Sequence, residues 1–448
     1  MNPEIVVSGV VSMLTLIGLL TVLTIVLLLV LRKVTPIVGL TLIPFCGAVL
    51  AGFGFDEIGA FFTTGLGSVV QVATMFIFAI IFFGVLQDAG LFNPLVRFLV
   101  KISGGNVISV AIGTAIVGML AHLDGAGATT FLLTIPALLP LYKRLGMNPY
   151  LMMMLLATGA GILNLMPWAG PVGRAAAVFE MDPIDVWQPL IPVQAVGAVL
   201  LVVFAGLFGI REKRRIAKGG GMPVEDDSPY EPAVDTAPED AELVRPKLLW
   251  LNFVVFLAVL TSLVTGILPS AYIFMLGLGV VLLLNYPSVT MQMERIKAHA
   301  PNALLMGAII LSAGSLLGIL NGTGMLRSIA EDMVLILPDS VIPHLHLIIG
   351  VFGLPLDLLL STDAYYFALL PIVEQIVATH DVPTTSTIYA LIIGNVIGTF
   401  LSPFSPALWL GLGLAGLEIG KHLRYSFIWM WIFSLILMAF AIPIGLIP

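Results

Sequence analysis

The chain has 448 residues, 59% of them hydrophobic and 10% charged, with a formal net charge of −7. A soluble protein carries roughly 25% charged residues, so a water-soluble globule is excluded. The single cysteine, Cys46, excludes a disulfide framework and a cysteine metal cluster, and basic residues scattered in short clusters between apolar stretches exclude nucleic-acid binding.

The apolar residues fall into stretches of about 20, the length that crosses a bilayer core, which predicts an all-α polytopic membrane protein. In chain order, spans are predicted at about 5–31, 34–54, 72–92, 149–168 and 190–210. No small-residue cleavage site follows the first, so it reads as a retained span and not as a signal peptide. Residues 211–246 read as a linker. They open with Arg211, Lys213, Arg214, Arg215 and Lys218, pass through Gly219-Gly220-Gly221, and turn acidic and Pro-rich from Glu225 to Glu242. Such a composition cannot bury a core and is expected to be disordered. Further spans follow at about 247–267, 271–286, 302–321, 385–402 and 425–447. The chain thus divides into two membrane halves, 1–210 and 247–448, with about 10–11 spans and two hairpins between them.

Lys and Arg concentrate in cytoplasmic loops, so the Arg211 to Lys218 run places the linker in the cytoplasm. Counting back puts Arg32-Lys33, Arg97 with Lys101, and Lys143-Arg144 inside as well, with Asn2 to Glu4 and an Asp56-Glu57 loop outside. The count closes only if residues 107–141, broken near Asp124-Gly125-Ala126-Gly127, enter and leave on the cytoplasmic side as a re-entrant hairpin. Irregular backbone at membrane depth is tolerated where it is buried in protein or lines a watery cavity, so the break implies such a cavity.

The chain matches itself weakly at a shift of about 234–236 residues. Gly84-Val85-Leu86-Gln87 falls on Gly318-Ile319-Leu320-Asn321, Phe131 on Phe367, Leu165 on Leu401 and Pro167 on Pro403. Residues 341–378, broken near Ser361-Thr362-Asp363, then form a second hairpin that enters from outside. The repeat is inverted, and inverted repeats with interrupted helices are the signature of secondary transporters with a midplane site.

Four breaks converge on that expectation: His122 to Thr130, Ser361 to Tyr366, Asn164 to Pro171, and Asn395 to Pro406. A helix that begins after a break offers unpaired N–H groups and a partial positive charge to a carboxylate, while unwound carbonyls suit a cation. Pro167 and Pro403 fit designed interruptions, because proline removes a donor and disfavours helix in the residue before it. Asp124 and Asp363 are ionisable groups within spans, candidates to hold a proton or a hard cation; the alternative is helix N-capping. His122 could carry a proton or simply pack. Arg174 could fork onto a substrate carboxylate, or snorkel to the interface. Thr129, Asn164, Pro167, Gly170, Ser361, Thr362, Asn395, Ser402 and Ser405 complete the candidate substrate-binding set. Asp88, Asp357 and Glu374 are lesser intramembrane acids, assigned to topology or helix packing.

At these residues the sequence resembles the citrate-metal:proton symporter family (CitMHS) of the ion transporter superfamily. The resemblance spans the chain. It rests on the runs from His122 to Phe131, Leu165 to Pro171 with Arg174, Leu360 to Phe367, and Ser402 to Pro406. It implies proton-coupled symport of citrate, a small anionic substrate, chelated to a divalent metal such as Mg²⁺ or Ca²⁺, with no permanently bound cofactor. It further implies a homodimer with a scaffold part and an elevator-like transport part, in the lipid bilayer of a bacterial inner membrane. Other cargoes stay open: gluconate, a dicarboxylate, or sodium/proton exchange. An intramembrane aspartyl protease using Asp124 and Asp363 lacks its Gly-x-Gly-Asp signature and leaves the repeat unexplained. No Gly-x-x-x-x-Gly-Lys-Ser/Thr run occurs, so the driving force is expected to be an ion gradient.

Overall fold

The computed structural model describes residues 12–31, 33–91, 94, 106–125, 127–220 and 242–447. The expectations placed on Asn2 to Glu4, the start of the first span, Arg32, Arg97, Lys101, Ala126 and most of the acidic stretch from Glu225 lie outside the described residues. Among the described residues every regular element is helical. Five helices among the described residues are long and apolar enough to cross a membrane: Phe55–Asp88, Pro183–Gly219, Pro246–Thr265, Val289–Gly322 and Ile419–Ala441. Leu23, Leu207, Trp250 and Leu283 stand more than half exposed on the exterior, as suits a protein whose solvent is hydrocarbon.

The centre of the molecule is an antiparallel pair of long helices, Phe55–Asp88 and Val289–Gly322, each of 34 residues. At 1.5 Å per residue each is about 50 Å long and outreaches a hydrocarbon core of about 30 Å. Two expected boundaries are corrected here. The first helix starts at Phe55, not near 72, and Asp56 and Glu57 form its first turn, where the Glu57 carboxylate accepts from Gly54 N at 2.8 Å. Acidic residues suit a helix N-terminus, so what read as a loop is a capped start. The second helix begins at Val289, not near 302; the polar stretch Gln292 to His299 that masked it is helical.

Glycine makes the pair possible. A side chain on Gly65 would overlap the backbone of Gly314 and Gly318, and one on Gly84 would overlap the His299 ring. Small residues are what let membrane helices approach backbone to backbone. The same device recurs between each hairpin and the helix beside it: Gly118 and Gly159 lie at the contact of Val107–Ala121 with Pro149–Leu163, and Gly353 and Gly394 at the contact of Gly353–Asp357 with Thr384–Asn395.

Other corrections are local. Ile191–Arg215 runs past residue 210, because Glu212 accepts from Asn148 N at 2.6 Å and pairs with Arg215 at 2.7 Å, so the basic opening of the linker is ordered helix. Helices Gly170–Val178, Met325–Ile336 and Pro406–Ala415 are too short to cross a membrane and were not expected as separate elements.

Candidate functional site

The first interruption ends the helix Val107–Ala121 at His122 and restarts at Gly127–Arg144. Gly125 takes a φ of +73°, a turn that side-chain-bearing residues rarely adopt. His122 is fully buried, with Nδ1 2.8 Å from Thr130 Oγ1 and Nε2 3.0 Å from Asn164 Oδ1. The amide oxygen can only accept, so Nε2 carries a proton and the Thr130 hydroxyl can donate to Nδ1 of a neutral ring. His122 therefore ties the hairpin to the broken helix Pro149–Leu163, in addition to any role in proton movement. Asp124, 8% exposed, accepts from the Thr129 hydroxyl of its own hairpin. Trp168 Nε1 donates to Leu123 O at 2.9 Å, joining the hairpin to the break that contains Pro167.

The second interruption is more fragmented. Its first arm comes in two pieces, Leu345–Val351 and Gly353–Asp357, and its second in three: Thr362–Ala364, a π-helical segment Tyr365–Leu369, and Leu370–Ala378. The π segment lies directly before Pro371, whose missing N–H forces a change of register. π-bulges are frequent at functional sites. Ser361 caps the outgoing arm, its hydroxyl accepting from Ala364 N at 3.2 Å, and Thr362 opens that turn.

The two halves meet across the site. Arg174 Nε donates to Asp363 Oδ1 at 2.7 Å, a pair whose side chains are 10% and 12% exposed. Arg174 lies in the helix that begins at Gly170, and its guanidinium passes where a side chain at Gly170 would be. Phe400 of the Asn395 to Pro406 break packs its ring against both His122, at 5.0 Å, and Phe131, at 5.8 Å. A side chain on Gly127 would overlap Phe400. Ser402 Oγ donates to Asp357 O at 2.5 Å, and Asn395 Nδ2 donates to Gly353 O at 3.4 Å. All four breaks therefore adjoin one region. Ser405 caps Pro406–Ala415 through its backbone, with its own N–H on Ser402 O at 3.0 Å. Pro167 is buried in the turn before Gly170.

The sequence singles out Arg174 and Asp363 separately, and the structure makes them one unit. The lesser acids separate. Asp88 accepts from His299 at 2.8 Å and Arg295 at 3.5 Å, and Glu374 accepts from Thr384 at 2.6 Å, so both are engaged in packing. Asp357 is fully buried with no hydrogen-bond partner on either carboxyl oxygen. Asn164 Nδ2, Asn395 Oδ1 and the Tyr366 hydroxyl are likewise buried without partners. The sequence carried a signal for Asp357: the internal shift that aligns Phe131 with Phe367 brings it within one residue of His122.

Comparison with known proteins agrees with this architecture. A family model described as Citrate transporter matches residues 4–394. Among relatives in Bacillus subtilis (strain 168), a protein named "Citrate transporter" is 34% identical over 97% of this chain and 100% of its own length. A protein named "Mg(2+)/citrate complex secondary transporter" is 33% identical over 97% and 99%, and "Uncharacterized transporter YraO" is 36% identical over 97% and 99%. The crystal structure of the YdaH transporter of Alcanivorax borkumensis, of unusual topology, superposes with a TM-score of 0.63 at 14% identity, covering 97% of this chain and 100% of that one, a likeness of fold. With interrupted helices converging inside an apolar helical bundle, the chain is a membrane-integral member of the citrate transporter family.

Proposed function

We propose that this protein is a secondary transporter that carries citrate chelated to a divalent metal, in symport with protons. The observation that carries the reading is the meeting of four helix interruptions around a buried Arg174–Asp363 ion pair contributed by both halves. The named activities of the Bacillus subtilis relatives support citrate, and the Mg²⁺/citrate relative supports a chelate as cargo.

In this reading the substrate carboxylates take the N-termini of the helices opened at Gly170 and Ser405, the hydroxyls of Ser361 and Thr362, those of Thr129 and Ser402 once they turn from Asp124 and Asp357 O, and the amides of Asn164 and Asn395. Arg174 offers a planar fork to a carboxylate. Asp124 and Asp363 face the metal or a proton, with His122 fixing Asn164 in place. No three His, Cys, Asp or Glu side chains cluster as a metal cage among the described residues. A carried metal would then draw most of its oxygen ligands from citrate and water, as Mg²⁺ commonly does. Pro167 and Pro403 keep the two helices open.

The halves 1–210 and 247–448, joined by a cytoplasmic linker at 211–246 and with the N-terminus outside, act as inverted repeats. Their re-entrant hairpins, at about 107–141 and 341–378, move with the cargo against a scaffold in an elevator-like step, within a homodimer.

The test is uptake of radiolabelled citrate into proteoliposomes under an inward proton gradient, with and without Mg²⁺ or Ca²⁺. Uptake that needs both metal and gradient is expected. Uptake of metal-free citrate, or indifference to citrate in the presence of metal, overturns the chelate reading.

A further inference from the structure

His122 and Asp357 occupy equivalent places: each lies where the first arm of its hairpin ends, and each is held against a helix that carries an asparagine. Their surroundings are opposite. Both nitrogens of His122 are bonded. The Asp357 carboxyl is fully buried with neither oxygen in hydrogen-bond geometry with a partner, although the Asn395 amide lies close by, and Oδ2 sits 3.1 Å from where a side chain on Gly398 would begin, a position that also abuts Leu354. The Asn395 amide and the Arg174 guanidinium are the polar groups that act on it. The nearby titratable groups of the π segment are Tyr365, whose hydroxyl donates to Leu391 O at 3.3 Å, and Tyr366, whose hydroxyl is buried without a partner. Arg174 is itself engaged by Asp363.

An ionised carboxylate accepts several hydrogen bonds, and burying one without them is among the costliest arrangements in a protein. A neutral carboxylic acid needs one acceptor for its O–H. Asn395 Oδ1 is a buried acceptor without a donor. A metal ion is a poor fit, since a single carboxyl against Gly398 and Leu354 offers few of the six or so oxygens a hard cation takes.

We propose that Asp357 holds the coupling proton, with its O–H on the amide oxygen of Asn395. This rests on the proton-symport reading above and assigns within it the residue that carries the proton, leaving Asp124 and Asp363 to the metal side. The proton enters from the side of high proton activity and leaves to the other aqueous side when the site faces it. Coupling to cargo follows from the neighbours. A deprotonated Asp357 adds a second carboxylate to the field of Arg174 and competes with an anionic substrate, so anion and proton bind together. The Ser402 hydroxyl on Asp357 O and the Asn395 amide on Gly353 O join the same arm to the Asn395 to Pro406 break.

The test separates exchange from accumulation in proteoliposomes with labelled citrate and Mg²⁺. D357N cannot ionise. It is expected to keep citrate counterflow within about twofold of wild type while gradient-driven accumulation falls roughly tenfold or more, with D357E restoring part of it. D357N that accumulates citrate like wild type overturns the proposal, and so does D357N that loses counterflow together with accumulation. If D357N is not recovered as a monodisperse protein, D357S takes the same two assays, with the same result expected and the same results overturning the proposal. Wild-type accumulation driven by sodium and not by protons overturns the proton assignment while leaving citrate transport standing. Wild-type protein without citrate counterflow overturns the function reading and this proposal with it.

Discussion

The two hairpins solve the same geometric problem with different degrees of completion. The first keeps two whole arms, Val107–Ala121 and Gly127–Arg144, and satisfies its buried histidine on both sides. The second has its first arm split at Phe352 and a π-helical segment in its second, and it leaves the Asp357 carboxyl, the Tyr366 phenol and both nitrogens of buried His346 without partners. Buried polar networks that are fully bonded rigidify a structure, whereas each unbonded buried group calls for its own explanation, such as stored strain, a chemical role or a bound water or ion.

The largest expected effect comes from the contact that joins the halves. Arg174→Gln alone leaves Asp363 as a buried unpaired charge and should cost about 3–5 kcal/mol. The double variant Arg174→Gln/Asp363→Asn should regain a good part of that loss, as read by thermal unfolding in detergent, while citrate uptake stays abolished in both. Equal destabilisation by single and double variants would show that the pair does not act as a unit.

Next comes the contrast between the hairpins themselves. His122→Leu strands the Asn164 amide oxygen and the Thr130 hydroxyl, a loss of about 1–3 kcal/mol. Asp357→Asn gives its arm a donor for the Asn395 oxygen and should leave the unfolding temperature unchanged or higher. A fall at Asp357→Asn as large as that at His122→Leu would erase the distinction. Asp124→Asn, which keeps the shape of its contact with Thr129, should abolish uptake with little change in the unfolding temperature.

The narrowest difference between the hairpins lies in the glycine contacts. A side chain on Gly353 would begin 2.5 Å from the carbonyl carbon of Gly394, while one on Gly118 would begin 3.1 Å from Leu156 Cα. Gly353→Ala should therefore cost about 1–3 kcal/mol and Gly118→Ala distinctly less, measured side by side by thermal unfolding. The reverse order would mean that the second hairpin has more room than its contacts indicate.

Much of this was legible in the residues. Apolar stretches and their breaks disclosed the membrane class, and Asp124, Asp363 and Arg174 stood out because charge in an apolar run needs a reason. The boundaries of the central helices were hidden because their first turns are polar: Asp56-Glu57 and Gln292 to His299 read as loops when hydropathy alone is followed. Partnership was hidden for a different reason. Nothing local in Arg174 points to Asp363, and Asp357 looks like any acid near a helix end until its empty surroundings are seen.

The Arg174–Asp363 contact also sets a problem for synthesis. Its members are 189 residues apart in sequence. At a translation rate of about 5–20 residues per second, Arg174 waits roughly 10–40 s for its partner to leave the ribosome. For that interval a lone guanidinium must be accommodated by the translocon, by lipid headgroups or by water. The closing of the second half onto the first then takes place around a charge already in the membrane.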